Sequence, residues 1–299
     1  MKLYSIISSM AIMASTLFLT GCSSDEPDTS SSVITVPDSP KNEFDKWLDE
    51  NFVKPYNIDF KYRYEDIEGD FDYYLIPARY DDAIMMAHLV KYLCIETYVK
   101  VGGNDFTCTY FPKMFYNVGE WEYNNNHSIV LGTSESGRKI FLAGLNYLPS
   151  YIKSALLLNE FYFKTIHHEF VHVLNQNKPI PTTFQPISSE NYVSGMWNQE
   201  PYNKDYLLRG FISDYAQDSY TEDFAEMMSI YITNTPEWWA DRMTRAGDAG
   251  SAILQLKLDI VRSYMLEQYG IDIDELRDEL QGRQAQVIAG NVDLADLSI

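Results

Sequence analysis

Phe161-Tyr162-Phe163-Lys164-Thr165-Ile166-His167-His168-Glu169-Phe170-Val171-His172-Val173-Leu174 decides how the chain is read. It contains H-E-x-x-H, and the chemistry of that pattern requires a helix. Residues four apart on a helix lie nearly above one another, so His168 and His172 can offer two imidazole nitrogens to one metal ion. Glu169 sits about a quarter-turn round, beside the ion rather than on it. There it can take a proton from a water that the ion activates. Phe163, Ile166, Phe170, Val173 and Leu174 cluster on the opposite side as a stripe for burial, while Phe161 and Thr165 share the histidine side. The competing reading is a core helix carrying structural histidines. His167 offers no rival pair, because position 171 is Val.

Working outward, two histidines do not complete a catalytic zinc site, which takes three protein ligands and an open position. No histidine follows His172, so the third ligand is a carboxylate or lies upstream. The best candidate is Glu222 in Ser219-Tyr220-Thr221-Glu222-Asp223-Phe224-Ala225-Glu226, at the start of a second helix running to about Thr233. Glu222, Glu226 and Ser229 share one face of it, and Phe224, Met227, Met228 and Tyr231 form the apolar side. Ser219-x-x-Glu222 is also a capping box, in which Glu222 would only satisfy backbone donors. With an H-E-x-x-H upstream, the ligand reading of Glu222 is the stronger of the two.

The 299 residues allow one large or two ordinary domains. A net charge of -20 argues against nucleic acid or an anionic membrane surface as partner, since phosphate binding needs clustered Lys and Arg. Lys2 and the apolar run to Leu19 read as a signal peptide over residues 1–21, ending in Leu19-Thr20-Gly21-Cys22. That ending resembles the lipobox of bacterial lipoproteins, in which the cysteine is lipidated; an ordinary secretory signal with an incidental Cys22 is the alternative. Ser, Pro and Asp dominate from Ser23 to about Lys41, so 22–42 reads as a lipidated cysteine and flexible tether. Ser23-Ser24-Asp25-Glu26 resembles the acidic signals of surface-exposed lipoproteins. Cys94 and Cys108 could pair or stay apart.

A short helix from Phe44 is expected to stop at Pro55. A strand follows at Ile58–Tyr64, then a helix from Pro77 to Gly102-Gly103. Strand character runs over Thr107–Val118, Ser128–Thr133 and Lys139–Ala143, with a turn at Ser134-Glu135-Ser136-Gly137. His88 and His127 receive no role. Pro179–Leu208, with Trp197, is loop-rich and fits a cleft wall or lid as well as plain packing. Helices are expected over Ala252–Tyr269 and Asp272–Val287, with Ala289–Ile299 frayed.

His168-Glu169-Phe170-Val171-His172 followed by Glu222-Asp223-Phe224-Ala225-Glu226 resembles the gluzincin arrangement of the anthrax lethal factor group. The resemblance implies Glu222 as third zinc ligand and Tyr215, seven residues earlier, as a catalytic tyrosine. It also matches Glu226 to a residue that orients a ligand histidine. Together with the lipobox, the chain resembles the substrate import-associated zinc metallohydrolase lipoproteins, whose genes accompany TonB-dependent import systems. Lys46-Trp47-Leu48, Lys54-Pro55-Tyr56-Asn57-Ile58 and Gly210-Phe211-Ile212-Ser213 carry that likeness too.

The implied fold is α+β: a zincin-like catalytic domain over 43–299, with a small mixed sheet beside the H-E-x-x-H helix. Its N-terminal α+β part runs to about 150 and a mostly helical part covers 151–299. The implied activity is peptide-bond hydrolysis with Zn2+ on His168, His172 and Glu222, Glu169 as general base and Tyr215 at the oxyanion. The implied setting is the outer membrane, cell-surface exposed, anchored through Cys22, with a peptide or protein substrate and a TonB-dependent importer as partner. The alternative is a non-catalytic surface lipoprotein that binds peptide or glycan for an importer and keeps zinc as structure.

Overall fold

A computed structural model describes residues 40–68, 75–123, 129–130, 132–135 and 139–299. The leader, Cys22 and nearly all of the tether lie outside the described residues, as does His127.

Helix α1 (Glu43–Leu48) starts on a capping box in which Asn42 accepts from the Asp45 amide and Asp45 accepts from the Asn42 amide. It does not stop at Pro55. A π-helical turn, Asp49–Val53, shifts the hydrogen-bond ladder, and Pro55 sits early in a final turn, Lys54–Tyr56, where its missing N–H matters little. The stop is Asn57, at φ 53°. Strand β1 covers only Asp59–Lys61 of the expected run.

Helix α2 (Tyr80–Leu89) continues through a π-helical stretch, Val90–Ile95, into Glu96–Gly102. It begins later than Pro77, which instead bridges to Val118. Thr107–Tyr110, expected as strand, is the end of helix α3 (Asn104–Tyr110). Thr107 bonds back to the Gly103 carbonyl, and Phe106 packs on Tyr98 and Phe170. Burial of that ring outweighs the strand propensity of the threonines.

Strand β2 (Met114–Asn117) runs parallel to β1. Strands β3 (Glu122–Tyr123) and β4 (Ile129–Val130) form a two-stranded antiparallel sheet of their own. Strand β5 (Gly132–Glu135) pairs antiparallel with β6 (Lys139–Leu142), and β6 pairs parallel with β2. The main sheet therefore runs β1-β2-β6-β5 and is mixed, as expected. Ser134 and Glu135 lie in β5 rather than in a turn, and residues 136–138 are outside the described set. Ile140 and Leu142 are fully buried on β6, as are Phe115 and Tyr116 on β2.

The C-terminal half is helical. Ala155–Leu158 and a π-helical turn, Asn159–Phe163, lead into α4 (Lys164–Asn177), the H-E-x-x-H helix. It packs along α5 (Tyr220–Thr233) and against β5. Helix α6 (Pro236–Tyr269), which Thr235 caps and in which Pro236 suits the first turn, carries the expected Ala252–Tyr269 run in its part beyond Gly247. It kinks at Gly247, whose φ of 64° a residue with a side chain rarely adopts. Helix α7 (Ile273–Ala289) follows, and the tail beyond it is not frayed: Val292, Leu294 and Leu297 pack on the core. Cys94 is buried and Cys108 half-buried, both as free thiols. No helix among the described residues is long and apolar enough to cross a membrane.

Candidate metal centre

Helix α4 is anchored by the stripe read from its sequence. Phe163, Ile166, Phe170 and Leu174 are fully buried, and Phe170 meets the rings of Tyr98, Phe106 and Phe111. Each such side chain contributes about 1.5–3 kcal/mol of burial. His167 lies on this hidden side, with Nδ1 3.0 Å from the Tyr98 hydroxyl. Burial lowers its pKa to about 3, so it is a neutral core residue.

The opposite face of α4 meets the first turn of α5. Ser219 accepts from the Glu222 amide and caps α5, which leaves the Glu222 carboxylate free of any capping duty. That carboxylate points at the histidines: Oε2 is 2.9 Å from His168 Nε2 and 3.2 Å from His172 Nε2. The two Nε2 atoms are 3.1 Å apart. His168, His172 and Glu222 are the group of three metal-type ligands that the described residues bring together.

These atoms suit a metal ion. Tetrahedral zinc with bonds of about 2.0–2.1 Å spaces its donors about 3.3 Å apart, within a few tenths of an ångström of the distances here. Two imidazole nitrogens and a carboxylate oxygen in mutual contact also lack the protons to satisfy one another if the rings are neutral. A cation resolves that, and two His plus one Glu match a catalytic zinc set with one open position.

Behind His168 the buried carboxylate of Glu226 lies 2.8 Å from Nδ1, where it favours a proton and, once the ring is neutral, would leave the Nε2 lone pair for an ion. Glu226 is itself held by Lys164 at 3.0 Å and by the Ser213 hydroxyl at 2.7 Å. Burial alone would raise its pKa, but the Lys164 charge, the His168 ring and Ser213 hold it well below the usual carboxylate range. Glu222 behaves alike: burial opposes ionisation and the two histidines outweigh it. For His168, burial opposes the charged form, yet Glu222 and Glu226 raise its pKa to about 9 in the metal-free protein.

Glu169 projects beside this cluster, half-buried, with no hydrogen bond or ion pair to another side chain among the described residues. Burial raises its pKa above the ordinary value, moderated by His168 and His172. Tyr215 sits on a short turn, Tyr215–Gln217, started by Asp214, which accepts from the Tyr215 amide. Its ring lies 5.8 Å from that of His168, and its phenol feels the charge of Glu222. Burial and the Glu222 charge push that phenol far above its ordinary pKa, so it remains a hydrogen-bond donor.

Several contributors carry no motif. Lys164, one turn before His168, was visible in principle, since 164, 168 and 172 share a helix face. Ser213 follows Gly210, whose φ of 79° and closeness to Ile253 leave no room for a Cβ. Trp197 meets the Tyr215 ring edge-on at 5.0 Å, so part of the long 179–208 segment does flank the site. Asp223 forms a fully buried pair with Lys257, 2.6 Å apart, which ties α5 to α6 beside Glu222.

A model of the family described as "Putative zinc-binding metallo-peptidase" matches residues 37–274. Among solved structures, the crystal structure of a putative zinc-binding metallo-peptidase from Bacteroides caccae ATCC 43185 is similar at 34% sequence identity and a TM-score of 0.76. The match covers 89% of this chain and 100% of that one. A search of curated proteins gives no match. With most of its length matched by the family and its α+β fold shared with a solved relative, this chain belongs to the putative zinc-binding metallo-peptidases.

Proposed function

We propose that the protein is a zinc-dependent peptidase in which His168, His172 and Glu222 hold the ion. The observation that carries this is the convergence of those three donors with an uncommitted carboxylate, Glu169, next to them on the same helix. Zinc, when bound, supplies Lewis-acid polarisation of a carbonyl and a water acidified toward neutral pH. Glu169 accepts a proton from the attacking water and returns it to the leaving amine. The Tyr215 hydroxyl, kept protonated, donates to the oxygen that gains charge as the carbonyl is attacked. Glu226 keeps the His168 proton on Nδ1 throughout. Strand β5 lies against α4 at the end of the main sheet, which supports an extended peptide as substrate, because such an edge can add a strand.

The test is Glu169→Gln, assayed on peptide and glycopeptide libraries with and without chelator. Retained zinc with hydrolysis lost is the expected result. Full activity in that variant would overturn Glu169 as the base, and wild-type protein that binds peptides and never cleaves them would overturn the reading in favour of a binding lipoprotein.

Leu19-Thr20-Gly21-Cys22 and the acidic Ser23-Ser24-Asp25-Glu26 support an outer-membrane lipoprotein, anchored through Cys22 and facing outward, and the resemblance to import-associated zinc metallohydrolase lipoproteins supports service to a TonB-dependent importer. Fatty-acid labelling that survives Cys22→Ala would remove the anchor.

A further inference from the structure

We infer that the cleft behind the metal centre is a second site, for a small monocarboxylate with an apolar tail. The cleft has a volume of about 210 Å³ and is lined by Lys164, Ile212, Ser213, Ile230, Trp238 and Arg242. Water fills about 30 Å³ per molecule, so the space suits a carboxylate of five or six carbons.

Arg242 supplies the reason for an anion. Its guanidinium carbon stands 4.5 Å from the centre of the Trp238 ring, and Nε is buried without a hydrogen-bond partner. Among the described residues it forms no ion pair. The side chain as a whole is half-buried, and a shielded donor on a charged group with no acceptor is a costly arrangement that an anionic ligand would relieve. Lys164, the other cation of the lining, is already engaged by Glu226, so one positive charge is uncommitted. Glu160, exposed and also in the lining, disfavours a dianion such as phosphate. Ile212 and Ile230 are apolar walls, 3% and 6% exposed, and Leu156 stands exposed beside them. A single carboxylate on Arg242 with a branched hydrocarbon against the isoleucines fits this set.

The experiment is calorimetric titration of 4-methylpentanoate into zinc-free and zinc-loaded protein, with inorganic phosphate and leucinamide as controls. Binding to both forms is expected, at least tenfold weaker in Arg242→Gln. Leu156→Trp, a change at an exposed position that narrows the cleft without touching Arg242, should also weaken it. Neither control should bind. Binding confined to the zinc-loaded form would place the carboxylate on the metal and overturn the second site. So would undiminished binding in Arg242→Gln, or no binding to either form. Because the zinc-free arm needs no catalysis, failure of the peptidase reading would leave this result unaffected.

Discussion

Nδ1 of His168 lies 2.8 Å from Oε1 of Glu226, while Nε2 of the same ring faces Glu222. The imidazole is thus held between two carboxylates with different jobs. In the proposed site Glu222 would share the ion and Glu226 would choose the tautomer. Glu226→Gln keeps the shape but removes the charge that fixes the Nδ1 proton, and zinc affinity should fall about 10- to 100-fold. Competition against a chromophoric chelator measures this. An unchanged affinity would mean that Glu226 only packs.

The same two carboxylates make the metal-free protein sensitive to alkali. The folded pKa of His168, raised to about 9, stands above its ordinary 6.5, so the protonated ring favours the fold. That contribution is complete below about pH 6.5 and disappears as the pH rises through about 9. Urea unfolding of zinc-free protein should lose up to about 3 kcal/mol across this window. Zinc requires a neutral imidazole, so the loaded protein should show a much flatter profile.

Tyr215→Phe removes one hydroxyl from a ring fixed by Trp197 and His168. If that hydroxyl meets the oxyanion, kcat should fall about 10²- to 10³-fold with KM and zinc content little changed. A variant whose only change is in KM would assign Tyr215 to substrate binding instead.

Which parts of this could be read in advance follows from how local each one is. His168, Glu169 and His172 belong to one turn, so spacing alone places them together. Glu222 is 54 positions from His168, and only its helix and face were legible, with a capping role competing. Lys164 and Ser213 reach Glu226 through tertiary approach, and no spacing in the sequence ties either of them to it. Thr107–Tyr110 reads as strand because β-branched residues suit strands until a buried neighbour, Phe106, decides otherwise. The break at Gly247 sets the helix from Pro236 apart from the expected Ala252–Tyr269 run, and the tail packs through three spaced apolar residues too sparse to form a pattern.

Gln217 joins the segment over the site to the turn that carries Tyr215. Its side-chain oxygen accepts from Arg209, its amide donates to the carbonyls of Tyr202 and Asp214, and its own carbonyl accepts from Val193. Fully buried, it leaves the Arg209 Nε–H without an acceptor and removes the side-chain tie between Tyr202 and the Tyr215 turn if shortened. Gln217→Ala should therefore raise KM and speed proteolytic nicking within 193–204, while zinc affinity stays near wild type. Limited proteolysis gives the readout. Resistance equal to wild type would mean that the segment is held by other contacts.

Lys257 and Asp223 provide the sharpest test of how Glu222 is positioned. Both side chains are fully buried, and Lys257 also donates to the Gly210 carbonyl at 2.8 Å. Asp223 accepts in addition from the Tyr192 hydroxyl at 2.9 Å. Burial raises the Asp223 pKa to about 6 despite its partners and lowers that of Lys257, so each charge is tolerated only because the other is present. Lys257→Met strands a buried carboxylate and should cost about 3–5 kcal/mol, whereas Lys257→Met with Asp223→Leu should recover most of it. If the pair also sets the pitch of α5, zinc affinity should stay reduced in the double variant after stability returns, because Glu222 is the residue before Asp223. Thermal unfolding and zinc titration on the same samples separate the two effects. Affinity that recovers together with stability would reduce the pair to a packing element.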